Sequence, residues 1–245
     1  MKKVILEICC GSADDVFAAA EGGADRAELN SALMLGGLTP SVGTVRKAKK
    51  AGIPLMVMIR PRDGGFCYSE AEFESMLEDL RFFVTEGVEG LVFGVLNDDG
   101  TLDIERNRLL VEAAGDRVKI FHRAFDLVPD WRKAMDELVE LGFDRILTSG
   151  QKTDCIKGAE NIKEMVKYAA GRIEILPGGG IRPENVNYIL DRTGCSQLHS
   201  SASYLKKDVS CGGNDISFRD ISSVSDSEFK AVDTEKVRAM LKMIK

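Results

Sequence analysis

The chain holds only two histidines, and each stands where a short apolar run gives out. His122 follows Val118-Lys-Ile-Phe and opens His-Arg-Ala-Phe-Asp; His199 follows Gln197-Leu198 and opens His-Ser-Ser-Ala. Imidazole titrates nearest neutral pH and serves as acid, base or metal ligand. Similar positions elsewhere carry Glu7, Glu28, Arg60 and Asp126. Such a set suits acid–base chemistry on a small anionic or phosphorylated substrate. Arg60 would clamp the anion in bidentate fashion. Glu7 or Glu28 would act as general base and His122 as general acid or electrophile. The bland alternative is a satisfied core ion pair, with Arg60 bridging Glu7 and Glu28. The two histidines, Glu7, Glu28 and Asp126 could also converge on a metal.

A second group lies late in the chain. Leu176-Pro-Gly-Gly-Gly-Ile supplies Gly178, Gly179 and Gly180, and the run from His199 supplies Ser200 and Ser201. Glycines let backbone N–H groups approach an anion closely. The pair of segments therefore reads as a phosphate-holding rim or simply as a tight turn. Thr148-Ser149-Gly150 adds donors of the same kind.

These residues need a scaffold that brings strand ends together. Short β-rich runs recur at Val4–Cys10, Arg26–Asn30, Pro54–Arg60, Gly90–Leu96, Val118–Ala124, Arg145–Gly150, Glu174–Gly180 and Gln197–Ala202. Amphipathic segments such as Asp14–Glu21, Val42–Ala51, Ala71–Glu86 and Trp131–Leu141 separate them, and Gly23, Gly87 and Gly142 mark helix ends. Eight such units in about 250 residues predict an α/β fold, a single-domain TIM (β/α)8 barrel. Residues 1–203 form its core, 204–232 an irregular arm or lid, and 233–245 a closing helix. Side chains alternate along a strand. If Glu7 with Cys9, Glu28 with Asn30, Arg60 with Met58, and His122 with Asp126 point inward, all gather at one barrel mouth.

Composition narrows the function. A net charge of −6 and the lack of a basic run argue against nucleic acid. No stretch approaches the ~20 apolar residues of a membrane span. The opening Met1-Lys-Lys-Val-Ile-Leu-Glu is no signal peptide, so the six cysteines read as reduced thiols of a cytoplasmic protein. Without GxGxxG or a Walker A pattern, no nucleotide cofactor is expected. No lysine ends a proposed strand, which disfavours Schiff-base chemistry.

The assembled blocks resemble one family, CutC, the copper homeostasis proteins. They are Leu6-Glu-Ile-Cys-Cys, Gly23-Ala-Asp-Arg-Ala-Glu-Leu, Gly36-Gly-Leu-Thr-Pro-Ser, Met58-Ile-Arg-Pro-Arg and Phe66-Cys-Tyr-Ser, then Phe121-His-Arg-Ala-Phe-Asp, Arg145-Ile-Leu-Thr-Ser-Gly, Gly178-Gly-Gly-Ile and His199-Ser-Ser-Ala. The resemblance implies a self-associating cytosolic barrel with a role in copper homeostasis. It implies Cu(I) held by thiolates, which suit a soft metal, with Cys9 and Cys10 as candidate ligands. It also implies a cysteine at the end of the second strand, where this chain has Asn30.

Overall fold

The structure, a computed structural model, describes residues 3–211 and 227–244. Its strands are β1 (Ile5–Cys10), β2 (Arg26–Leu29), β3 (Leu55–Met58), β4 (Gly90–Phe93), β5 (Val118–Phe121), β6 (Arg145–Thr148), β7 (Glu174–Pro177) and β8 (Gln197–Ser200). Neighbours in the chain pair in parallel from β1 to β7, and β1 also pairs with β8. A parallel bridge between Gly178 and His199 joins the last two strands. The result is a nearly closed TIM barrel.

Eight helices cover the outside: α1 (Ala13–Gly22), α2 (Val42–Ala48), α3 (Glu70–Thr85), α4 (Ile104–Ala114), α5 (Trp131–Leu141), α6 (Ala159–Ala169), α7 (Val186–Thr193) and α8 (Thr234–Met243). Several starts are written in single residues. Ser12, Asp103, Asp130 and Asp233 accept N–H bonds from the first turns that follow them, and Ser69 with Glu72 forms a capping box. Gly23 and Gly142 end α1 and α5 at φ of +92° and +87°, a left-handed turn that a side chain would strain.

Strand alternation sorts the side chains into two layers. Leu6, Ile8, Cys10, Leu29, Val57 and Phe93 pack against the helices. Met56, Met58, Val92, Ile120, Leu147 and Leu176 fill the barrel interior from the β3–β7 side. The interior from β1, β2 and β8 is polar instead, with Glu7, Arg26, Glu28, Gln197 and His199 all buried. Buried charge is tolerated only when paired, and Glu7, Arg26, Gln197 and His199 are paired with one another, while Glu28 bonds Asn30.

The arm differs from the irregular stretch that its sequence suggests. Its ends pair as an antiparallel ribbon, β9 (Ser203–Lys207) with β10 (Glu228–Val232). Asp15 accepts the Val232 N–H at 2.7 Å and ties the ribbon to α1. The rest of the arm, 212–226, lies outside the described residues. Among the described residues no helix is long and apolar enough to cross a membrane.

Candidate functional site

A cavity of about 830 Å³ opens at the C-terminal ends of the strands. Cys9, Glu28, Asn30, Arg60, His122 and His199 line its floor and walls, and residues 178–184 and 199–203 form one rim. This is the end of a TIM barrel at which active sites are built.

The floor on the β1–β2–β8 side is one connected network. Glu7 accepts from Arg26 Nε through one oxygen, and its other oxygen lies 2.8 Å from His199 Nδ1. Arg26 Nη2 donates to Gln197 at 2.6 Å, and Gln197 reaches Glu174, which also pairs with Arg145. Burial opposes the charge on Glu7, yet His199, Arg26 and Arg145 together hold its carboxyl down at about 2. Burial also opposes a charged His199, but Glu28, Cys9 and Glu7 keep it well above the usual imidazole range. Glu7 is thus fully engaged beneath the cavity and lacks a free oxygen for base catalysis.

Above it, Cys9, Glu28 and His199 bring their ligand atoms within 4.8 Å of one another. With Nδ1 held by Glu7, Nε2 is the nitrogen His199 can offer. Glu28 uses only one oxygen, which accepts from Asn30 Nδ2 at 2.9 Å, and its Oε2 is buried without a partner. Burial pushes Glu28 up, and Glu7 adds to the shift. Burial likewise pushes the Cys9 thiol up to about 11. Asn30 also donates to Cys9 Sγ at 3.6 Å. Parity delivers this group: Glu7 and Cys9 on β1, and Glu28 with Asn30 at β2.

His122 lies across the mouth, capping the turn after β5. Its Nδ1 accepts the Ala124 N–H at 3.3 Å, so the proton of the neutral ring sits on Nε2. That Nε2 is buried without a partner. Burial and the nearby Arg60 push the imidazole down to about 3. Phe66 packs on the ring at 4.7 Å, tilted by 51°, and a side chain at Gly94 would collide with Phe121 and with His122.

Three expectations need correction. Arg60 does not bridge Glu7 and Glu28. It gives three N–H bonds to the carbonyls of Leu35, Gly37 and Gly64, at 2.7–3.0 Å, and so fixes the loops after β2 and β3. It lines the cavity with little left for a bidentate clamp. Asp126 is not at the mouth. Thr148 Oγ1, Ser149 N and Oγ, Gln151 N and Arg123 Nε all donate to it, so it organises the loop after β6 and consumes the donors expected there for an anion. Cys10 faces the helix layer, with Sγ 3.4 Å from the Ile8 carbonyl, and cannot share an ion with Cys9. Adjacent strand residues point to opposite sides. Arg26, which the sequence reading passed over, is the true partner of Glu7. Its register with Glu28 and Asn30 was the available signal.

On the rim, Gly178 N–H is spent on the Thr148 carbonyl, and Ser200 Oγ donates to the Ile181 carbonyl at 2.7 Å. Gly178 must be glycine, because a Cβ would press on Leu147 and His199. The N–H groups of Gly180 and Ser201 find no acceptor among the described residues.

A model of the CutC family matches residues 4–204. The chain belongs to the CutC family. Within it, the chain is 50% identical over 215 residues to a family protein CutC of Treponema denticola, covering 87% of each. It is 40% identical to the copper homeostasis protein cutC homolog of Homo sapiens, over 96% of this chain and 87% of that one. A crystal structure of CutC from Streptococcus agalactiae superposes with a TM-score of 0.77 at 37% identity, covering 81% of this chain and 98% of that one. The CutC region matched here ends at the start of the β9–β10 ribbon. All the residues of the mouth except those on β10 and α8 fall within it.

Proposed function

We propose that this protein serves copper homeostasis by holding Cu(I) at the barrel mouth between Cys9 Sγ and His199 Nε2. The observation that carries the reading is the convergence of Cys9, Glu28 and His199 within 4.8 Å. Two donors about 2.0–2.3 Å from one ion can stand at most some 4.4 Å apart, so the spacing is of the right order. The Glu7–His199 contact supports the same reading. Metal-bound histidines commonly give their other nitrogen to a carboxylate, which fixes the ring and raises its basicity.

The donor set suits a soft monovalent ion: thiolate and imidazole favour Cu(I), and the carboxylate of Glu28 would balance charge beside it. Relatives at 40% identity bear the name copper homeostasis protein cutC homolog. With Asn30 in place of a second cysteine, one thiolate carries the soft-metal chemistry here. Anaerobic titration of the reduced protein with Cu(I), read by X-ray absorption, should give one ion per chain with sulfur and nitrogen neighbours. A shell without sulfur would remove the reading.

A further inference from the structure

A single ion leaves most of a cavity of about 830 Å³ unused, and that volume is of the size that holds a small organic molecule. Its charge is the reverse of the protein's. The chain carries −6 overall, yet five Arg and Lys side chains line the cavity (Arg60, Arg123, Arg182, Lys230 and Lys236) against three acids (Asp15, Glu28 and Glu184). Arg123 is paired with Asp126, so four cations face the three acids and the surplus is one positive charge.

Two sets of unspent donors face this space. On the rim, the Gly180 and Ser201 N–H groups lack acceptors among the described residues, and Nη1 of Arg123, whose other nitrogens bond Asp126 and Ser149, lies beside Gly179. Gly180 sits at φ +74°, where a side chain would strain the turn. Deeper, His122 is 3% exposed. Its Nδ1 is turned to Ala124 and its Cε1 edge to Gly94, while Nε2–H is buried without a partner in a ring that lines the cavity. A buried donor left without a partner is costly, so an unmade bond beside a cavity marks where a ligand oxygen belongs. Between the two sets, Met58, Phe66 and Leu147 provide an apolar wall.

We infer that the mouth binds a phosphate monoester of a short, oxygenated carbon skeleton, with its phosphoryl group on the Gly180–Ser201 rim and a carbonyl or hydroxyl oxygen on His122 Nε2–H. Its anchors share the cavity with Cys9 and His199 but include neither, so binding requires no copper. No bond-making step is assigned to it.

The test uses metal-free, full-length protein and three probes: dihydroxyacetone phosphate, inorganic phosphate and dihydroxyacetone. Calorimetry should give saturable binding of the ester at least tenfold tighter than inorganic phosphate, and none for dihydroxyacetone. Arg182 is exposed, with no side-chain partner among the described residues, so Arg182→Glu should weaken both anions several-fold without touching the fold. His122→Asn keeps the acceptor for Ala124 but loses the deep donor, and should bring the ester down to the affinity of inorganic phosphate. If that variant misfolds, the Nε2 proton resonance of His122 in ¹⁵N-labelled wild type replaces it and should shift with the ester only. Absence of saturable binding by either anion overturns the proposal. So does an ester that binds no better than phosphate, or a resonance that never moves.

Discussion

Glu7 Oε1 and His199 Nδ1 lie 2.8 Å apart at the floor of the barrel, with the other Glu7 oxygen on Arg26. This contact spans strands β1 and β8, where Glu7 and His199 are register partners. It decides which nitrogen of His199 faces the cavity, and so converts a buried ion pair into a positioning device for a ligand. Of the two carboxylates named as candidate general base, Glu7 has both oxygens engaged, and Glu28 keeps one without a partner.

Breaking the network at its cationic end should be costly to the fold. Arg26→Met leaves the Glu7 carboxylate with His199 alone in a buried setting. Removing one partner of a buried pair costs about 3–5 kcal/mol. Urea unfolding should show a lower midpoint of that order with an unchanged slope.

His122 gives the stability a pH dependence of known sign. Its folded value is about 3, below the ordinary 6.5, so between those limits the unfolded chain binds a proton that the folded protein does not. The His122 contribution is full above 6.5 and is lost as pH drops toward 3, by up to about 1.4 kcal/mol per unit. Glu7, held at about 2, adds loss of the same sign below about 4.5. Unfolding free energies of wild type and His122→Asn between pH 7 and 5 should converge on acidification, because the variant lacks the first of these slopes.

Metal uptake should release protons. Burial pushes the Cys9 thiol up to about 11, and His199 is held in its charged form, so at pH 7 both donors carry a proton that an ion must displace. Calorimetry of Cu(I) binding in buffers of different ionisation enthalpy should therefore count about two protons per ion. A count of zero would mean that the ion sits elsewhere.

Asn30 is a one-residue test of the donor set. Its amide already lies 3.6 Å from Cys9 Sγ, so Asn30→Cys places a second sulfur within reach of the same ion. Cu(I) affinity should rise tenfold or more, since soft thiolates select this metal. The substitution also frees Glu28 Oε1, which spectroscopy of the carboxyl stretch would register.

The fold was legible in the sequence because parallel strands buried on both faces stand out as short apolar runs between amphipathic segments. Strand starts fall within a residue of their expected places, while the expected ends run two or three residues too long at β3 to β8. The overrun has a physical reason. The residues past each strand end, such as His122 and Ser149, keep an extended or polar character because they build the mouth rather than the sheet. Alternation within β1 and β2 correctly placed Cys9 and Glu28 facing one side. It did not report partners, and that is where Arg60 and Asp126 were misread. Arg60 satisfies loop carbonyls and Asp126 gathers the donors after β6, and neither arrangement leaves a mark in residue spacing. The pairing of β9 with β10 was hidden by the low apolar content of a two-stranded ribbon.

The central claim, that copper is held by Cys9 and not by its neighbour, is decided by a paired substitution. Cys9→Ser and Cys10→Ser remove adjacent thiols that face opposite sides of β1. Anaerobic competition titrations with a Cu(I) chelator should show at least a hundredfold loss of affinity in Cys9→Ser and wild-type affinity in Cys10→Ser. Equal affinities in wild type and Cys9→Ser would contradict the account.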